Sequence, residues 1–405
     1  MNQHLKEPLL FLVHRIPFPP NKGDKIRSFH ILQFLSRQYD VYLGAFIDDP
    51  QDEQYRSKVT AFCKNAHLEA LNPAMAKIRS LSGLLSNNAL SIPYYSSSEM
   101  QKWVNSTLQS HQIKKVLAFS SPMAQFVEHL SDGVLKIMDF VDIDSDKWKQ
   151  YCKTHKGLMS WVYAREAKQL FKYEKHIACL FDASLFVSDQ EAHMFKTLAP
   201  ESAAKVHGVS NGVDTDYFTP DFSDNSPYQN NKKVLVFTGA MDYWANCDAV
   251  IWFANEIFPL LYKVDKNYEF YIVGSKPTET VQALSSLPGV TVTGRVEDIR
   301  PYIKYAHLCV APLRIARGIQ NKVLEAMAMG KAVVATSNAI EGIQLPEKLT
   351  QWVADSEQAQ AKIIGKLADD KLRNTIEKEA GQWIKNSYSW DFTLKPLAQL
   401  MEKNG

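Results

Sequence analysis

The sequence lacks any hydrophobic run that approaches the roughly 18 apolar residues of a membrane-spanning helix. The apolar stretch nearest the N-terminus, at residues 9–13, is interrupted by His14 and Arg15, so it does not have the form of a signal peptide. We therefore expect a cytoplasmic protein. Attachment to the inner face of the cytoplasmic membrane stays open, because a helix can lie on a bilayer surface without crossing it.

Paired cysteines and an excess charge are also lacking. The five cysteines include no Cys-x-x-Cys pair, which excludes the common zinc and redox motifs and predicts reduced thiols. The 46 Lys and Arg residues nearly balance the 44 Asp and Glu residues, giving a net charge of +2. A chain so close to neutral has no general excess of cations for a phosphate backbone, so we expect no nucleic-acid partner.

The 405 residues suggest two or three domains, and the 45% hydrophobic and 22% charged residues are typical of a folded globular protein. Short apolar runs alternate with amphipathic stretches, which predicts parallel sheets in an α/β fold. The alternation restarts after the polar stretch at residues 220–231. We expect two doubly wound, Rossmann-like domains facing across a cleft, with ligands at the carboxyl ends of the strands. Predicted strands lie at residues 9–13, 41–47, 115–119, 135–140, 184–188, 234–238, 269–273, 290–292, 308–311 and 332–335.

The loop after the first predicted strand enters a helix near Asp24 and is a candidate ligand loop. Gly23 lets the backbone approach a ligand closely, and the helix start offers unpaired N–H groups to an anion. The segment lacks both the Gly-x-Gly-x-x-Gly pattern and the Walker Lys-Ser/Thr pair, so its phosphate signal is weak. We favour a ligand loop over a plain connection, while Lys25 and Arg27 fit a solvated helix face equally well.

Four closely spaced acids lie at the end of the fourth predicted strand: Asp139, Asp142, Asp144 and Asp146. Repulsion and burial should raise the pKa of at least one of them towards the range of a general base. Asp144 or Ser145 suits a helix N-cap, and Asp146 suits the first helical turn. Asp142 is therefore the first candidate for catalysis and Asp139 the second. No histidine accompanies the acids and their order is not that of a calcium loop, so no metal site is expected.

A basic, glycine-containing loop leads into a helix predicted from about Gln320. It brings Arg314, Arg317 and Lys322 near the free N–H groups of that helix start, which predicts an anion site. Glu325, one to two turns into the helix, could accept two hydrogen bonds from sugar hydroxyls. Its apolar neighbours in the sequence favour this role over that of an ordinary surface glutamate.

Together these features resemble GT-B glycosyltransferases, in particular family 4, whose second domain carries a Glu-x7-Glu element followed by Ala-x-x-x-Gly-x-Pro-Val-Val. Residues 324–334, Leu-Glu-Ala-Met-Ala-Met-Gly-Lys-Ala-Val-Val, match the second half of that element well. Other segments are similar to the sugar transferases associated with bacterial PEP-CTERM exopolysaccharide systems. These segments are residues 17–24, 139–148, 210–214, 237–242 and 294–298.

The resemblance implies a GT-B fold and the transfer of a sugar from a nucleotide-diphosphate sugar to a saccharide or lipid-linked acceptor, in cell-surface or exopolysaccharide synthesis. Residues 1–213 would bind the acceptor and residues 214–385 the nucleotide sugar, while residues 386–405 would cross back onto the first domain. Neither a metal nor another cofactor is expected, because fixed cations can neutralise the leaving diphosphate.

The resemblance also implies roles for single residues on the donor side. Glu325 would hold the donor ribose, and Lys322 with the helix-start amides would hold the diphosphate. Arg317 replaces the first glutamate of the family element, so that residue's contact with the transferred sugar is not carried over. The loop beginning at Gly239 lacks the Arg and Lys with which many relatives neutralise the leaving group. Arg314 and Arg317 are therefore expected to neutralise the leaving group instead. The remaining expected donor-site residues are Arg295, Gly318, Ile319 and Gln320.

The acceptor side is expected in the first domain, where Asp142 would take or orient the acceptor hydroxyl proton. The acceptor loop would consist of Gly23, Asp24, Lys25 and Arg27. Residues 75–85 raise the question of whether the protein binds a membrane surface, because they combine apolar side chains with Lys77 and Arg79. Such a stretch can lie in a lipid headgroup layer or form an ordinary core helix, and we favour the core helix.

Two other functions fit the same sequence. A nucleotide-sugar epimerase of the same fold would need no acceptor. A non-catalytic nucleotide-sugar-binding subunit of a polysaccharide-assembly complex would explain the replacement by Arg317. The presence of Glu325, Lys322 and the acid-rich loop favours an enzyme over such a subunit.

Overall fold

The computed structural model describes residues 6–85, 88–154, 157–221, 223–316 and 319–402. The chain divides into two compact units. The described residues up to Asn211, together with those from Thr393 onward, form the first unit, and Gly212–Phe392 form the second. The boundaries expected from the sequence were after residues 213 and 385.

The first unit is built on a seven-stranded sheet in which all neighbouring strands are parallel, in the order β3-β2-β1-β4-β5-β6-β7. The inner strand β1 is apolar from Leu9 onward and its residues 9–13 are fully buried, as expected for a parallel strand covered on both faces. The strands are β1 (Glu7–Val13), β2 (Tyr39–Ile47), β3 (Asn65–Ala70), β4 (Lys115–Phe119), β5 (Leu135–Val141), β6 (Ala183–Phe186) and β7 (Val206–Gly208).

Helices connect these strands, and two of them begin at serine N-caps, as sequence rules favour. Ser97 accepts hydrogen bonds from the amides of Glu99 and Met100, and Ser188 accepts one from the amide of Glu191. The helices are α1 (Gly23–Gln38), α2 (Arg56–Thr60), α3 (Pro73–Leu85), α4 (Ser91–Tyr94), α5 (Ser98–Ser110), α6 (Asp144–Thr154), α7 (Leu158–Leu180) and α8 (Asp189–Leu198).

The second unit contains a five-stranded parallel sheet in the order β10-β9-β8-β11-β12. Its strands are β8 (Lys233–Thr238), β9 (Tyr268–Val273), β10 (Val290–Gly294), β11 (Leu308–Ala311) and β12 (Val333–Ala335). Its helices are α9 (Trp244–Trp252), α10 (Phe258–Val264), α11 (Glu279–Ala283), α12 (Arg300–Lys304), α13 (Asn321–Ala328), α14 (Glu347–Thr350), α15 (Glu357–Lys366), α16 (Asp370–Ser387) and α17 (Trp390–Thr393). A last helix, α18 (Lys395–Glu402), belongs to the first unit.

The strand order reverses between β1 and β4 in the first sheet and between β8 and β11 in the second. Doubly wound sheets bind their ligands outside the carboxyl ends of the strands at such reversals. The loops that begin at His14 and Ser120 therefore border the expected site of the first unit. Those that begin at Gly239 and Pro312 border the site of the second.

Helix α3 exposes apolar side chains. Met75, Ile78 and Leu81 are exposed, whereas Ala76 is fully buried. The interpretation of this stretch as an ordinary core helix is therefore wrong for the exposed face. None of the helices in the described part of the chain is long and apolar enough to span a membrane.

Candidate functional site

A pocket of about 460 Å³ lies at the carboxyl edge of the second unit's sheet. Residues at the carboxyl ends of β8 and β9 and just after β10 line one side of the pocket, and the first turns of α13 line the other. Its lining residues are Thr238, Gly239, Ala240, Val273, Gly274, Ser275, Arg295, Val296, Ile299, Ile319, Asn321, Lys322 and Glu325. Five donor-site residues expected from the sequence therefore come together here: Gly239, Arg295, Ile319, Lys322 and Glu325.

Two glycines form the wall of the pocket at the ends of β8 and β9. A Cβ atom on Gly274 would lie 1.6 Å from the carbonyl oxygen of Gly239, a distance that no side chain can occupy. A Cβ atom on Gly239 would lie 2.8 Å from the Asn246 Nδ2 atom and 3.4 Å from the Lys322 Nζ atom. Glycine at both positions thus lets two loops approach each other and leaves the pocket open.

Asn246, on α9, positions the Lys322 ammonium. The Lys322 Nζ atom donates a hydrogen bond of 2.5 Å to Asn246 Oδ1 and lies 4.5 Å from the centre of the Phe237 ring. Asn246 in turn donates from Nδ2 to the Ala240 carbonyl at 2.9 Å. Burial lowers the pKa of Lys322 to about 8, although the charge of Glu325 opposes that shift. Sequence reasoning missed Asn246, and no local motif marks it.

Glu325 lies three residues after Lys322, on the same face of α13. Its side chain is half-buried, and its neighbours Val323, Leu324 and Ala326 are buried. Burial raises the pKa of Glu325 to about 7, with Lys322 acting against the shift. The carboxylate therefore titrates near neutrality, within a pocket that a hydroxyl-bearing ligand can enter.

The start of α13 adds backbone donors to the pocket. The helix begins at Asn321 after the N-cap residue Gln320, and the Val323 amide bonds to the Gln320 carbonyl. The amides of Asn321 and Lys322 belong to the first turn, where the helix itself supplies no acceptor. Two pocket residues thus carry amides suited to an anion, beside the Lys322 ammonium and Arg295.

Arg314 does not line this pocket. Its guanidinium donates to both carboxylate oxygens of Asp248 and lies 5.4 Å from the Trp252 ring centre. The expectation that it neutralises a leaving group is thus at odds with its position, because Asp248 already neutralises its charge. Two further donor-site residues expected from the sequence, Arg317 and Gly318, lie outside the described residues.

In the first unit, the expected acceptor loop divides into an accessible part and a buried part. Gly23 is exposed at the start of α1. Asp24 is half-buried and lies 3.3 Å from His14 Nε2 and 3.2 Å from Arg15 Nη1. Although burial opposes it, the hydrogen bond from His14 and the charge of Arg15 hold the pKa of Asp24 well below its usual range. Lys25 is buried and ion-paired with Asp52, so it forms neither a solvated face nor an open acceptor contact.

Arg27 and Asp139 form a fully buried ion pair, which corrects both of their expected roles. Arg27 Nε donates to Asp139 Oδ2 at 2.9 Å, and Arg27 Nη1 donates to the Val209 carbonyl and to Asn211 Oδ1. Neither side chain has any exposed surface. Arg27 therefore cannot bind an acceptor, and Asp139 cannot take its proton, without opening the core of the unit.

The turn that follows Asp139 has an unusual backbone. Val141 has a φ angle of 70°, a region that β-branched residues rarely adopt, and its amide donates to Asp139 Oδ1 at 3.0 Å. Ser120, at the end of the neighbouring strand β4, has a φ angle of 73°. Backbone strain of this kind is concentrated at functional sites. Next to this turn, Asp142 stays partly exposed and accepts a hydrogen bond from Lys147 at 2.7 Å.

A glutamate from another helix binds the start of α6, where the sequence predicted a local cap. Glu174, on α7, accepts hydrogen bonds from the Ser145 amide at 3.2 Å and from the Ser145 hydroxyl at 2.5 Å. Asp144 instead accepts from Lys147 at 3.1 Å, and Asp146 accepts from Gln150 at 2.7 Å. Of the two capping candidates, Ser145 is thus bound by a tertiary partner and Asp144 by the side chain of Lys147.

His14 and Arg15 begin the candidate ligand loop, although neither was assigned a role from the sequence, and they follow β1 directly at the strand-order reversal. The His14 ring stacks on Phe119 with ring centres 5.9 Å apart. Arg15 Nε lies 2.7 Å from Asp48 Oδ2. The position after the first strand of a doubly wound sheet is the signal that could have identified both residues.

All the lining residues of the second unit's pocket lie within a segment that matches a known protein family. Residues 232–370 match the family model described as Glycosyl transferases group 1. No curated protein matches the chain.

Solved structures of similar fold cover the whole chain. Sucrose-phosphate synthase from Thermosynechococcus elongatus is 15% identical with a TM-score of 0.66, over 98% of this chain and 99% of that chain. Anabaena Alr3699/HepE in complex with UDP is 14% identical with a TM-score of 0.64, over 98% and 99%. WaaG, a glycosyltransferase involved in lipopolysaccharide biosynthesis, is 14% identical with a TM-score of 0.57, over 98% and 100%. The chain therefore has the GT-B α/β fold, and its residues 232–370 are similar to group 1 glycosyltransferases.

Proposed function

We propose that this protein is a glycosyltransferase of the family 4 type, which moves a sugar from a nucleotide-diphosphate sugar to a saccharide or lipid-linked acceptor in cell-surface or exopolysaccharide synthesis. One observation carries the proposal: a single pocket joins Glu325, Lys322 and Arg295 to the start of α13. A carboxylate beside cations and helix-start amides suits a ligand with both hydroxyl and phosphate groups.

The donor would lie along α13. The Glu325 carboxylate accepts hydrogen bonds from two ribose hydroxyls, and Lys322, Arg295 and the first-turn amides bind the diphosphate. When the bond between sugar and diphosphate breaks, negative charge grows on the phosphate oxygens, and fixed cations stabilise that charge. Each charge-assisted hydrogen bond contributes about 1.5–3 kcal/mol. Anabaena HepE has been solved with UDP and with UDP-glucose, so UDP-sugars are the first donors to test.

On the acceptor side, Asp142 is the proposed group that takes or orients the hydroxyl proton. It is partly exposed, unlike Asp139, and it follows the strained turn at Val141. Lys147 lies 2.7 Å from its carboxylate and keeps it oriented. Exchanging Asp142 for Asn should lower the transfer rate at least about tenfold if the proton goes to this carboxylate.

The proposed transfer needs no metal ion, since Lys322 and Arg295 supply positive charge at the diphosphate. We expect transfer to proceed at an unchanged rate in excess EDTA. A rate that falls with EDTA and returns with added Mg²⁺ or Mn²⁺ would contradict this part of the proposal.

Calorimetric titration with UDP-, GDP- and ADP-sugars tests the function directly. The wild type should bind one nucleotide class selectively, and Glu325→Ala should weaken that binding at least about tenfold. Glu256→Gln, which changes an exposed glutamate in the same unit, is the matched control and should bind like the wild type. Equal binding by the wild type and both variants would show that Glu325 does not contact the nucleotide sugar. Isomerisation of the donor sugar without transfer would instead identify a nucleotide-sugar epimerase.

A further inference from the structure

A second pocket, of about 360 Å³, lies within the first unit. The α3–α4 segment forms one side of it and α6 with α7 forms the other. Its lining residues are Ser80, Leu90, Ser91, Tyr94, Tyr95, Trp148, Val162, Tyr163 and Glu166. Four of these nine side chains are aromatic, so the pocket offers a large apolar surface.

The polar groups of this pocket are bonded to one another. Glu166, which is buried, accepts hydrogen bonds from the Leu90 amide at 2.5 Å, the Ser91 amide at 3.1 Å and the Ser91 hydroxyl at 3.0 Å. The Ser80 hydroxyl donates to the Leu90 carbonyl at 2.8 Å. These bonds satisfy the carboxylate inside the protein, so a bound molecule would be recognised mainly by apolar contact.

Exposed apolar side chains flank the pocket on both sides. On α3, the helix of the lining residue Ser80, Ile78 and Leu81 are 62% and 58% exposed. On α6 and α7, Tyr151 and Trp161 are 52% and 58% exposed. The Tyr151 ring lies 5.8 Å from the ring of the lining residue Trp148. Helices from both sides of the pocket thus carry exposed apolar side chains.

The same helices are basic. From residue 144 to residue 180, the span of α6 and α7, the sequence has eight Lys or Arg residues and four acids, of which Glu166 and Glu174 are buried. Residues 73–94 include Lys77 and Arg79 and no acid. Exposed aromatic and aliphatic side chains among cations are the signature of a surface that lies on anionic lipid.

The pocket also borders the edge at which the proposed acceptor chemistry takes place. The Tyr95 ring lies 5.8 Å from the ring of His14, which follows β1 at the strand-order reversal. Trp148 directly follows Lys147, whose ammonium binds Asp142. Two lining residues, Tyr95 and Trp148, are thus next to residues of the proposed acceptor edge, His14 in space and Lys147 in the sequence.

We infer that this pocket, defined by its nine lining residues, holds the hydrocarbon chain of a lipid acceptor drawn from an anionic membrane surface. The inference rests on the proposed function and names its acceptor class. The hydrocarbon chain of the lipid packs among Tyr94, Trp148 and Tyr163. The anionic headgroup faces the basic helices, and the hydroxyl to be glycosylated lies on the side of Asp142.

The test uses alkyl phosphates as probes, in calorimetric titrations below their micelle-forming concentrations. Octyl, decyl and dodecyl phosphate should bind with affinity rising about fourfold for each added methylene that the pocket buries. Val162→Trp fills the pocket and should weaken dodecyl phosphate binding at least tenfold. Ala164→Trp places the same side chain at an exposed position of α7 and should leave the affinity within twofold.

Three results would overturn the inference: an affinity that does not depend on chain length, an unchanged affinity in Val162→Trp, or an equal loss in both variants. Vesicles add a second arm, in which the protein should bind phosphatidylglycerol and not phosphatidylcholine, and equal binding to both would overturn the anionic surface. UDP-glucose binding, measured on the same samples, separates this test from the proposed function. If the wild type binds alkyl phosphate but not UDP-glucose, the result counts against the proposed function and leaves the lipid pocket standing.

Discussion

Lys322 and Glu325 sit close to the middle of their titrations at neutral pH, because burial disfavours both charges. Glu325 is ionised above its pKa of about 7, and Lys322 is protonated below its pKa of about 8. Both groups are largely charged only in the interval between. We expect the affinity for UDP-glucose to be highest there, falling towards about tenfold per pH unit on the acid side as Glu325 takes up a proton. The affinity should also fall above pH 8, as Lys322 loses its proton, and calorimetry across this range measures both limbs.

The Glu325→Gln variant is the control for this profile. It removes the titrating carboxyl, so its weaker binding should lose the acid limb and keep the alkaline one. UDP-glucose is the suitable ligand, since its diphosphate is esterified at both ends and keeps its charge over this range. An acid limb that persists in the variant would assign the titration to another group.

Gly274 is the position in the pocket wall that is least tolerant of a side chain. Its Cβ would lie 1.6 Å from the Gly239 carbonyl oxygen, so Gly274→Ala must push the two loops apart. We expect loss of UDP-glucose binding and a lower melting temperature, measured by calorimetry and thermal unfolding. Gly365→Ala, in α15, is the matched control, because nothing lies within 4 Å of its Cβ. That variant should be neutral or more stable by about 0.5–1 kcal/mol, and equal damage in both would contradict the close-approach argument.

The site residues that the sequence located best are joined by one short stretch of chain. Lys322 and Glu325 are three residues apart in a helix, so their spacing alone puts them on one face. Asn246 and Gly274 were missed because they reach Lys322 and Gly239 only through the order of the strands. A single sequence does not specify which strands are neighbours.

The same limitation explains the acceptor loop. Lys25 and Arg27 were expected near a ligand or in water, yet both are buried against carboxylates. Their partners, Asp52 and Asp139, lie 27 and 112 residues further along the chain. A buried cation is stable only with such a partner, and long-range pairing is invisible in a local pattern.

At the scale of elements, the apolar runs located the inner strands. The runs at residues 9–13, 41–47 and 115–119 coincide with β1, β2 and β4, all of which have neighbours on both sides. In the first sheet the outermost strands β3 and β7 were not predicted, whereas the outermost strands of the second sheet, β10 and β12, were. β3 contains His67 and Glu69, because an edge strand is covered less completely and tolerates polar residues.

The junction of α6 and α7 offers a test of stability against pH. Burial raises the pKa of Glu174 to about 8 from the usual 4.5, so the folded protein keeps a proton that the unfolded chain releases. This carboxyl therefore makes folding less favourable as the pH rises from about 4.5 to about 8. In Glu174→Gln the amide oxygen can still accept from Ser145 but does not titrate. We expect the melting temperature of the variant, relative to the wild type, to increase between pH 5 and pH 8.

The matching control is Glu128→Gln, on a carboxylate that accepts a hydrogen bond from Tyr173 in the same unit. Its melting temperature should keep the same offset from the wild type at both pH values. A constant offset for Glu174→Gln as well would contradict the buried titration.

At the scale of the whole molecule, the first unit is made of two separate pieces of chain. Leu394, Leu397 and Met401 are fully buried, and all three belong to the unit that begins with β1. Leu397→Ala should lower the free energy of unfolding by about 2–5 kcal/mol, the cost of a cavity at a buried leucine. UDP-glucose binding by the second unit should not change. Denaturant unfolding with calorimetry measures both, and the exposed Gln399→Ala on the same helix should leave both unchanged.

This arrangement bears on how a ribosome would deliver the protein. Residues 212–392 emerge as an uninterrupted block, so the second unit can fold while the first still waits for α18. Until α18 leaves the exit tunnel, the apolar surface of the first unit against which Leu397 and Met401 pack is exposed to chaperones and proteases. Premature termination anywhere before residue 393 would thus leave the first unit without the helix that completes its core, although the residues up to 211 had been synthesised correctly.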